Sequence, residues 1–443
     1  MGLFDTVTSA RALMGMSLAF HISFTAVGIG LPLMLFLAEG IALRTGNEMY
    51  REMAKRWTRV AAVLFAVGAV SGTILSFEFG LLWPTFMDFS GAIIGFPFAL
   101  EGFAFFTEAI FLGIYIYGWE RLSPRAHWLC TIPMMVSAAA SALFVISANA
   151  WMNQPAGFKV VYGKAVNVDP IAAMFNRAMP YEVTHGTLAA YVATGFAVAG
   201  VYAVAMLRGH RSEYNKRALV LALAVAAVFT PLQIASGDLS ARFLAHRQPE
   251  KFAAMEGQFR TERGAPLRIG GFPDPDARET KYAIEIPRLT SILAFENADA
   301  TVRGLDSFPQ DAIPDVRLVH YPFQVMVASG FFMLFVVTWF FGVAWWRKRI
   351  DPGRWLLRAL VAAAPLGFVA IEAGWFVTEF GRQPWIIWHL MRTDQAATPR
   401  AGVAFLLLTF FLVYVALASG LVLLLLRPPG RAARPPEEAA DGP

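Results

Sequence analysis

Long, uninterrupted apolar segments restrict the fold of this sequence more than any other feature. Several runs exceed about 18 apolar residues, the length at which a helix can cross a bilayer. Of the 443 residues, 57% are hydrophobic and only 16% are charged, whereas soluble domains are about a quarter charged. The chain is therefore predicted to be an all-α, polytopic membrane protein.

Nine transmembrane helices are predicted from these runs. They cover residues 12–38, 57–80, 92–118, 127–150, 182–207, 217–236, 321–346, 355–378 and 401–426. Basic segments follow the first, third, fifth, seventh and ninth spans, whereas GLLWPTFMDFSG after the second has no Lys or Arg. Because basic loops stay in the cytoplasm, we expect the N-terminus outside and the C-terminus in the cytoplasm.

The membrane domain is predicted to extend over residues 1–426. It includes a mixed polar segment, 237–320, which this topology places on the outer face. A structureless loop of that length is uncommon, so we expect the segment to be functional or partly folded. The remaining residues, 427–443, are rich in Pro, Ala and Glu and are predicted to form a disordered cytoplasmic tail.

Net charge and cysteine content exclude several classes of site. The net charge of +5 comes from Lys and Arg in short loops that set topology, so no nucleic-acid partner is predicted. The single cysteine, Cys130, excludes an intrachain disulfide, an iron–sulfur cluster held only by cysteines, and covalently attached haem. Any haem in this chain would be held by non-covalent ligation.

Four potential iron ligands lie at similar predicted depth near the outer face. They are His21, His185, Met326 and Glu379. A His and a Met form an axial pair for low-spin haem, whereas a lone His or a carboxylate would leave an open face. Each residue also has an alternative role. The histidines could bond neighbouring helices, Met326 could be packing, and Glu379 could pair with Arg382.

Further carboxylates lie in the third span. Glu101 and Glu108 are two helical turns apart, about 10 Å along the axis, and share a face. This arrangement is typical of a proton relay, and two separate interhelical hydrogen bonds are the alternative. In the loop, Lys251 and Glu256 lie in KFAAMEGQF, whose composition alone favours a solvated helix face.

The segment EAGWFVTEFGRQPW, from Glu372 to Trp385, closely resembles the signature of subunit I of cytochrome bd-type quinol oxidases. HISFTAVGIGLPL, SALFVISANAWMNQP, VTHGTLAAYVATG, SGDLS, KFAAMEGQF, ETKYAIEIP and VMVASGF follow in the family's order. The resemblance covers nearly the whole chain except the tail. It implies a nine-helix subunit with a low-spin haem b, a high-spin haem b and a haem d.

The resemblance also implies roles for individual residues. His185 and Met326 match the ligands of the low-spin haem b iron, while His21 and Glu379 match ligands of the two high-spin haem irons; which of these two serves haem d is left open. The other matched positions are Ser141, Asn149 and Arg11 for cofactor binding, Glu101, Glu108, Glu372, Trp375 and Arg382 for the di-haem site and its proton supply, and Lys251, Glu256 and Asp238 for quinol.

The sequence departs from the family pattern at some positions. Gln324 stands where many members have Arg, which removes a positive charge near the low-spin haem. The quinol loop is the short form, and the third span resembles the cyanide-insensitive branch. Members of that branch carry haem b in place of haem d, so the resemblance leaves the type of one haem open.

The function implied is that of a terminal oxidase subunit in a bacterial cytoplasmic (inner) membrane. Quinol is oxidised at the outer face and dioxygen is reduced to water with cytoplasmic protons, which generates membrane potential without pumping. The implied partners are a membrane subunit II and, in some members, a small third subunit. Two alternatives are a haem-containing electron-transfer subunit and an ion-coupled transporter. A transporter would show broken helices and internal symmetry, which the sequence lacks.

Overall fold

A computed structural model describes residues 5–426, and the predicted tail lies outside them. Fifteen α-helices occur in this range. They are α1 (Thr6–Thr45), α2 (Glu48–Leu82), α3 (Pro84–Tyr117), α4 (Pro124–Leu129), α5 (Thr131–Asn153), α6 (Pro170–Met174), α7 (Met179–Leu207), α8 (Glu213–Arg247), α9 (Pro249–Glu256), α10 (Leu289–Phe295), α11 (Val316–Arg347), α12 (Arg354–Ala363), α13 (Leu366–Phe380), α14 (Thr393–Ala396) and α15 (Val403–Leu426).

Nine spans in the described residues are long and apolar enough to cross a membrane. They are α1, α2, α3, α4 with α5, α7, α8, α11, α12 with α13, and α15. The prediction of nine helices is therefore confirmed for this part of the chain. The sixth span, however, runs to Arg247 rather than ending at 236, so Asp238 lies on α8.

Local capping chemistry explains where several helices begin and end. Asp5 accepts from the Thr8 amide at the start of α1, and Gly46 ends that helix in a left-handed conformation. Only Trp83 separates α2 from α3. Pro84 can begin α3 directly after it, because a residue in the first helical turn needs no amide donor. The second interhelical connection is thus much shorter than the predicted loop.

The spans pack around α7, which has the most buried apolar segment of the nine. Small residues let its backbone approach its neighbours closely. A Cβ at Gly367 of α13 would lie 2.4 Å from the Cα of Ala193, and one at Gly200 would lie 2.3 Å from the Cβ of Ala364. Side chains larger than hydrogen at Gly367 and Gly200 would push these helices apart.

Short pairs of antiparallel strands lie in the segments between the helices. The strands are β1 (Lys159–Val161), β2 (Lys164–Val166), β3 (Glu262–Arg263), β4 (Leu267–Ile269), β5 (Phe272–Asp274), β6 (Glu279–Lys281), β7 (Ile284–Ile286), β8 (Thr301–Val302), β9 (Trp385–Ile387) and β10 (Met391–Arg392). Between α8 and α11, β3 pairs with β8, β4 with β7 and β5 with β6. This segment is therefore folded, and it positions α9 against the membrane helices.

Candidate functional site: a large cavity beneath the folded loop

A large cavity lies among the membrane helices and reaches the loop segment between α8 and α11. Its volume is about 2000 Å³, whereas a pocket for one small ligand has about 300–1,000 Å³. All the site residues singled out in the sequence line it, namely Arg11, His21, Glu101, Glu108, Ser141, Asn149, His185, Asp238, Lys251, Glu256, Met326, Glu372, Trp375, Glu379 and Arg382. The fold therefore brings these distant positions to one place.

His21 and His185 are each oriented by a serine on the next helix. The Nδ1 atom of His21 lies 2.9 Å from the Ser71 hydroxyl, and that of His185 lies 3.0 Å from the Ser236 hydroxyl. These are the interhelical hydrogen bonds considered as an alternative, but they use Nδ1 and leave Nε2 for another partner. The Gln233 amide nitrogen is 3.1 Å from Nε2 of His185.

Glycines lie directly beside the three candidate side chains of the odd spans. A Cβ at Gly72 would lie 2.9 Å from the Cε1 atom of His21. A Cβ at Gly237 would lie 3.2 Å from the Cε1 atom of His185. A Cβ at Gly374 would lie 3.1 Å from the Sδ atom of Met326. The glycines let the neighbouring helices approach these side chains closely.

Glu379 lies at the end of α13 in a buried polar cluster. It accepts a hydrogen bond of 2.5 Å from the Asn149 amide and pairs with the Arg382 guanidinium. Arg382 is only 1% exposed, and its Nε and Nη1 atoms have no hydrogen-bond partner within residues 5–426. The ion pair weighed in the sequence is thus present, with a buried guanidinium and a carboxylate that is partly exposed on the cavity wall.

Lys251 on α9 is joined to the membrane helices through Asn153. Its Nζ donates to the Asn153 side-chain oxygen at 2.8 Å, and the Asn153 amide donates to Glu182 at 3.0 Å and to Asn149 at 3.1 Å. Because Asn149 also contacts Glu379, polar groups connect the loop to that carboxylate. Burial lowers the pKa of the Lys251 ammonium.

Glu256, at the end of α9, is also buried. Its side chain is 5% exposed, and its Oε2 has no hydrogen-bond partner among the described residues. Burial raises the pKa of the Glu256 carboxyl to about 7, an effect that the Arg268 guanidinium partly opposes. The interpretation of KFAAMEGQF as a solvated helix face is therefore wrong, because the loop folds over α9.

Three further carboxylates on the cavity wall, those of Glu101, Glu372 and Asp238, contact hydroxyl groups or a guanidinium. Glu101 accepts from Ser141 at 3.1 Å, and Glu372 accepts from Ser23 at 3.2 Å. Glu108 is buried on the same helix as Glu101. Asp238 pairs with an arginine one turn further along α8 at 2.8 Å. Each of these carboxylates thus has a defined place on the cavity wall.

Comparison with known proteins identifies the family of this chain. The family described as cytochrome bd terminal oxidase subunit I matches residues 9–431. The chain belongs to this family. Its enzyme class, quinol:O2 oxidoreductase of the cytochrome bd type, is the one predicted from the sequence.

Individual relatives agree with that assignment. A Bacillus subtilis protein provisionally named cytochrome bd menaquinol oxidase subunit I is 41% identical, over 95% of this chain and 96% of its own. The B. subtilis cytochrome bd ubiquinol oxidase subunit 1 is 32% identical, over 94% and 92%. The structure of bd oxidase from Geobacillus thermodenitrificans matches with a TM-score of 0.90 and 41% identity, over 97% of this chain and 100% of that chain.

Membership of the cytochrome bd family makes this chain a multi-pass membrane protein of respiratory electron transport. It also implies haem cofactors, a subunit II partner, and quinol and dioxygen as substrates. Membership of an oxidase family excludes the two alternative functions considered from the sequence, an ion-coupled transporter and an electron-transfer subunit without oxidase activity.

The cavity fits haem by three observations. Its volume exceeds that of a one-ligand pocket, so it can take more than one cofactor. Imidazole, thioether and carboxylate groups, which can ligate haem iron, line it. The unpartnered guanidinium nitrogens of Arg382 are suited to a carboxylate such as a haem propionate.

Sequence reasoning missed several polar residues near the cavity. Glu78 on α2 is 1% exposed and accepts from Ser17 at 2.7 Å, while Glu182 on α7 bonds Asn153. Both carboxylates lie inside predicted spans, so a search for ionisable residues in apolar segments could have found them. Asn153 carries no such signal, because an amide at a helix end is common.

Proposed function

We propose that this chain oxidises quinol and reduces dioxygen as subunit I of a cytochrome bd-type oxidase in a bacterial inner membrane. The observation that carries the proposal is that one cavity is lined by every matched residue from both the predicted quinol loop and the predicted haem positions. A membrane subunit II is the proposed partner, and a small third subunit, as in some members of the family, is a further proposed component. Because the relatives named above include menaquinol and ubiquinol oxidases, the proposal covers quinols as a class.

Cofactor binding is assigned to four side chains. His185 and Met326 would hold a low-spin haem b, and His21 and Glu379 would hold the two high-spin haems, of which one is of type b or d. When bound, these haems supply the electron transfer and the oxygen-binding iron. The serines at Nδ1 fix both imidazole rings and leave Nε2 to face the cavity side, which supports this assignment. In His185 the Gln233 amide contacts Nε2 and would have to move for iron to bind there.

Quinol oxidation is assigned to the pocket wall beneath the loop. Each quinol that is oxidised releases two electrons and two protons, and the Glu256 carboxylate accepts one of those protons. A carboxyl with a pKa of about 7 can exchange protons near neutral pH. Lys251, whose Nζ donates to Asn153, is assigned to orient a quinol oxygen, and Asp238 lines the same cavity.

Proton supply for water formation is assigned to α3. Glu108 and Glu101 line the cavity on one helix, and Ser141 holds Glu101. The positive-inside rule places Glu108 nearer the cytoplasm. Electrons that start outside and protons that start inside would charge the membrane without a pump.

A spectrum of the purified oxidase tests the cofactor assignment first. We expect a reduced-minus-oxidised spectrum with low-spin haem b, together with haem in the extract. A far-red chlorin band would identify haem d, and haem b alone would assign the chain to the all-b type. An oxidase complex without haem would overturn the proposal.

Paired variants test the two carboxylate roles. We expect Glu256→Gln to abolish most quinol oxidation, whereas Glu279→Gln, an exposed glutamate on β6 of the same loop, should retain it. We expect Glu108→Gln to slow oxygen consumption, whereas the exposed Glu120→Gln should not. Equal rates within either pair would overturn the corresponding role.

A further inference from the structure

Gln324 on α11 binds the backbone of the loop strand β4. Its Oε1 accepts from the Gly270 amide at 3.0 Å, and its Nε2 donates to the Arg268 carbonyl at 3.1 Å. The two backbone partners fix which end of the side-chain amide is oxygen. Gln324 is two residues before Met326. The loop is therefore hydrogen-bonded to α11 close to a proposed haem ligand.

His320, one helical turn earlier, completes the attachment. The ring is fully buried, with Nδ1 2.8 Å from the Met255 carbonyl and Nε2 3.1 Å from the Gly270 carbonyl. His320 therefore lies between the end of α9 and the end of β4 and donates to one of these two carbonyls in either neutral tautomer. Gln324 binds β4 from the same face of α11. We call these two residues the clasp.

The strand held by the clasp forms part of the wall beside Glu256. Arg268 on β4 is near enough to Glu256 to favour its ionised form. Its guanidinium is in turn held by Gln258 and, at 3.0 Å, by Glu285. Since Gln324 binds the carbonyl of Arg268 itself, the residue at 324 helps to determine where this guanidinium lies.

We propose that Gln324 is a positioning residue for quinol, because its two backbone hydrogen bonds hold β4 and Arg268 in place around Glu256. This inference rests on the proposed quinol site. An arginine at position 324 would have no acceptor for the Gly270 amide, since a guanidinium only donates. Compared with the arginine of many family members, glutamine at position 324 therefore does two things. It removes a positive charge, and it provides an acceptor that holds this loop.

Three substitutions separate hydrogen bonding from charge. Gln324→Met removes both bonds and adds no charge, Gln324→Arg removes the acceptor, and Gln324→Glu keeps the acceptor for Gly270. Val325→Ala, at a half-exposed neighbour that does not line the cavity, controls for a general disturbance of α11. All are made in the whole oxidase complex, and the absorption spectrum checks that each retains haem.

Two measurements are then compared. We expect hydrogen exchange at the Gly270 amide to rise about tenfold in Gln324→Met and Gln324→Arg, the factor that corresponds to one lost hydrogen bond. The KM for quinol should rise about threefold or more in the same two variants, with kcat within about twofold, because fewer molecules hold the pocket in its binding form. Gln324→Glu should keep the parent's exchange at the Gly270 amide but raise KM, because its carboxylate cannot donate to the Arg268 carbonyl. Val325→Ala should resemble the parent in both measurements.

Other results would overturn the inference. If Gln324→Met resembles the parent while Gln324→Arg and Gln324→Glu change KM in opposite directions, charge rather than the clasp governs this position. Unchanged exchange, or raised exchange with unchanged KM, also overturns it. The proposed quinol site is tested separately. If Glu256→Gln still oxidises quinol at the parent's rate, that site is wrong, whatever the exchange of the Gly270 amide shows.

Discussion

Replacing Asn153 with alanine would test the polar connection between the loop and the membrane helices. Asn153 is 1% exposed and accepts from Lys251 at 2.8 Å. Its amide donates to Glu182 at 3.0 Å. Alanine would leave the buried Lys251 ammonium without this acceptor.

The expected magnitude follows from these bonds. A hydrogen bond to a charged group contributes about 1.5–3 kcal/mol, and Asn153 makes two. The two contributions are not additive, because Lys251 and Glu182 also attract each other. We expect Asn153→Ala to lower the free energy of unfolding by about 3 kcal/mol and the thermal midpoint by about 3 °C.

The assay is thermal unfolding of the purified oxidase, followed by tryptophan fluorescence at one scan rate for all variants. The matched comparison is the double variant Asn153→Ala with Lys251→Met. Removing both partners leaves no unsatisfied buried charge. The loss of unfolding free energy in the double variant should therefore be smaller than the sum of the losses in the two single variants, by about 1.5–3 kcal/mol. Purely additive effects, or a thermal midpoint of Asn153→Ala within about 1 °C of the parent, would refute the reasoning.

Three further predictions concern single carboxylates and their partners. Because burial raises the pKa of Glu256 to about 7, kcat/KM for quinol should rise about tenfold from pH 6 to pH 8 as the proton acceptor ionises; a steady-state profile that is equally steep in Glu256→Gln would contradict this. Arg382→Met should destabilise the Glu379 cluster by about 1–3 kcal/mol and lower the haem-to-protein ratio, and a full haem complement at the parent's thermal midpoint would count against it. Glu78→Leu should be about 1–2 kcal/mol less stable than Glu78→Gln, because only Gln keeps an acceptor for Ser17; thermal midpoints in the reverse order would disprove that role.

Sequence reasoning predicted the helices because each one is a local property of the chain. Apolar length determines a span wherever its neighbours lie, and the nine spans in the described residues agree with it. The boundaries were less predictable, since they depend on capping. Pro84 starts α3 immediately after α2, and α8 continues to Arg247 through residues that are polar enough to look like loop.

Residue types at matched depth also indicated the candidate site. His21, His185 and Met326 were recognisable because polar or ligating groups in an apolar span need a reason. The tertiary structure added how they are held: Ser71 orients His21, and Ser236 orients His185. Serines in helices are too common for the sequence to mark these two.

The sequence by itself determined the membrane class, the helix count and the chemical types of the site residues, because these follow from composition and spacing along one segment. Only the tertiary structure decided that Lys251 and Glu256 are buried, that Asn153 joins Lys251 to Glu182, and that Gln324 holds β4. Lys251 and Asn153 are 98 residues apart in the chain, and Gln324 and Gly270 are 54 apart. Such pairs form when separate helices and loops pack together, and no local pattern in the sequence specifies which distant backbone group a side chain will meet.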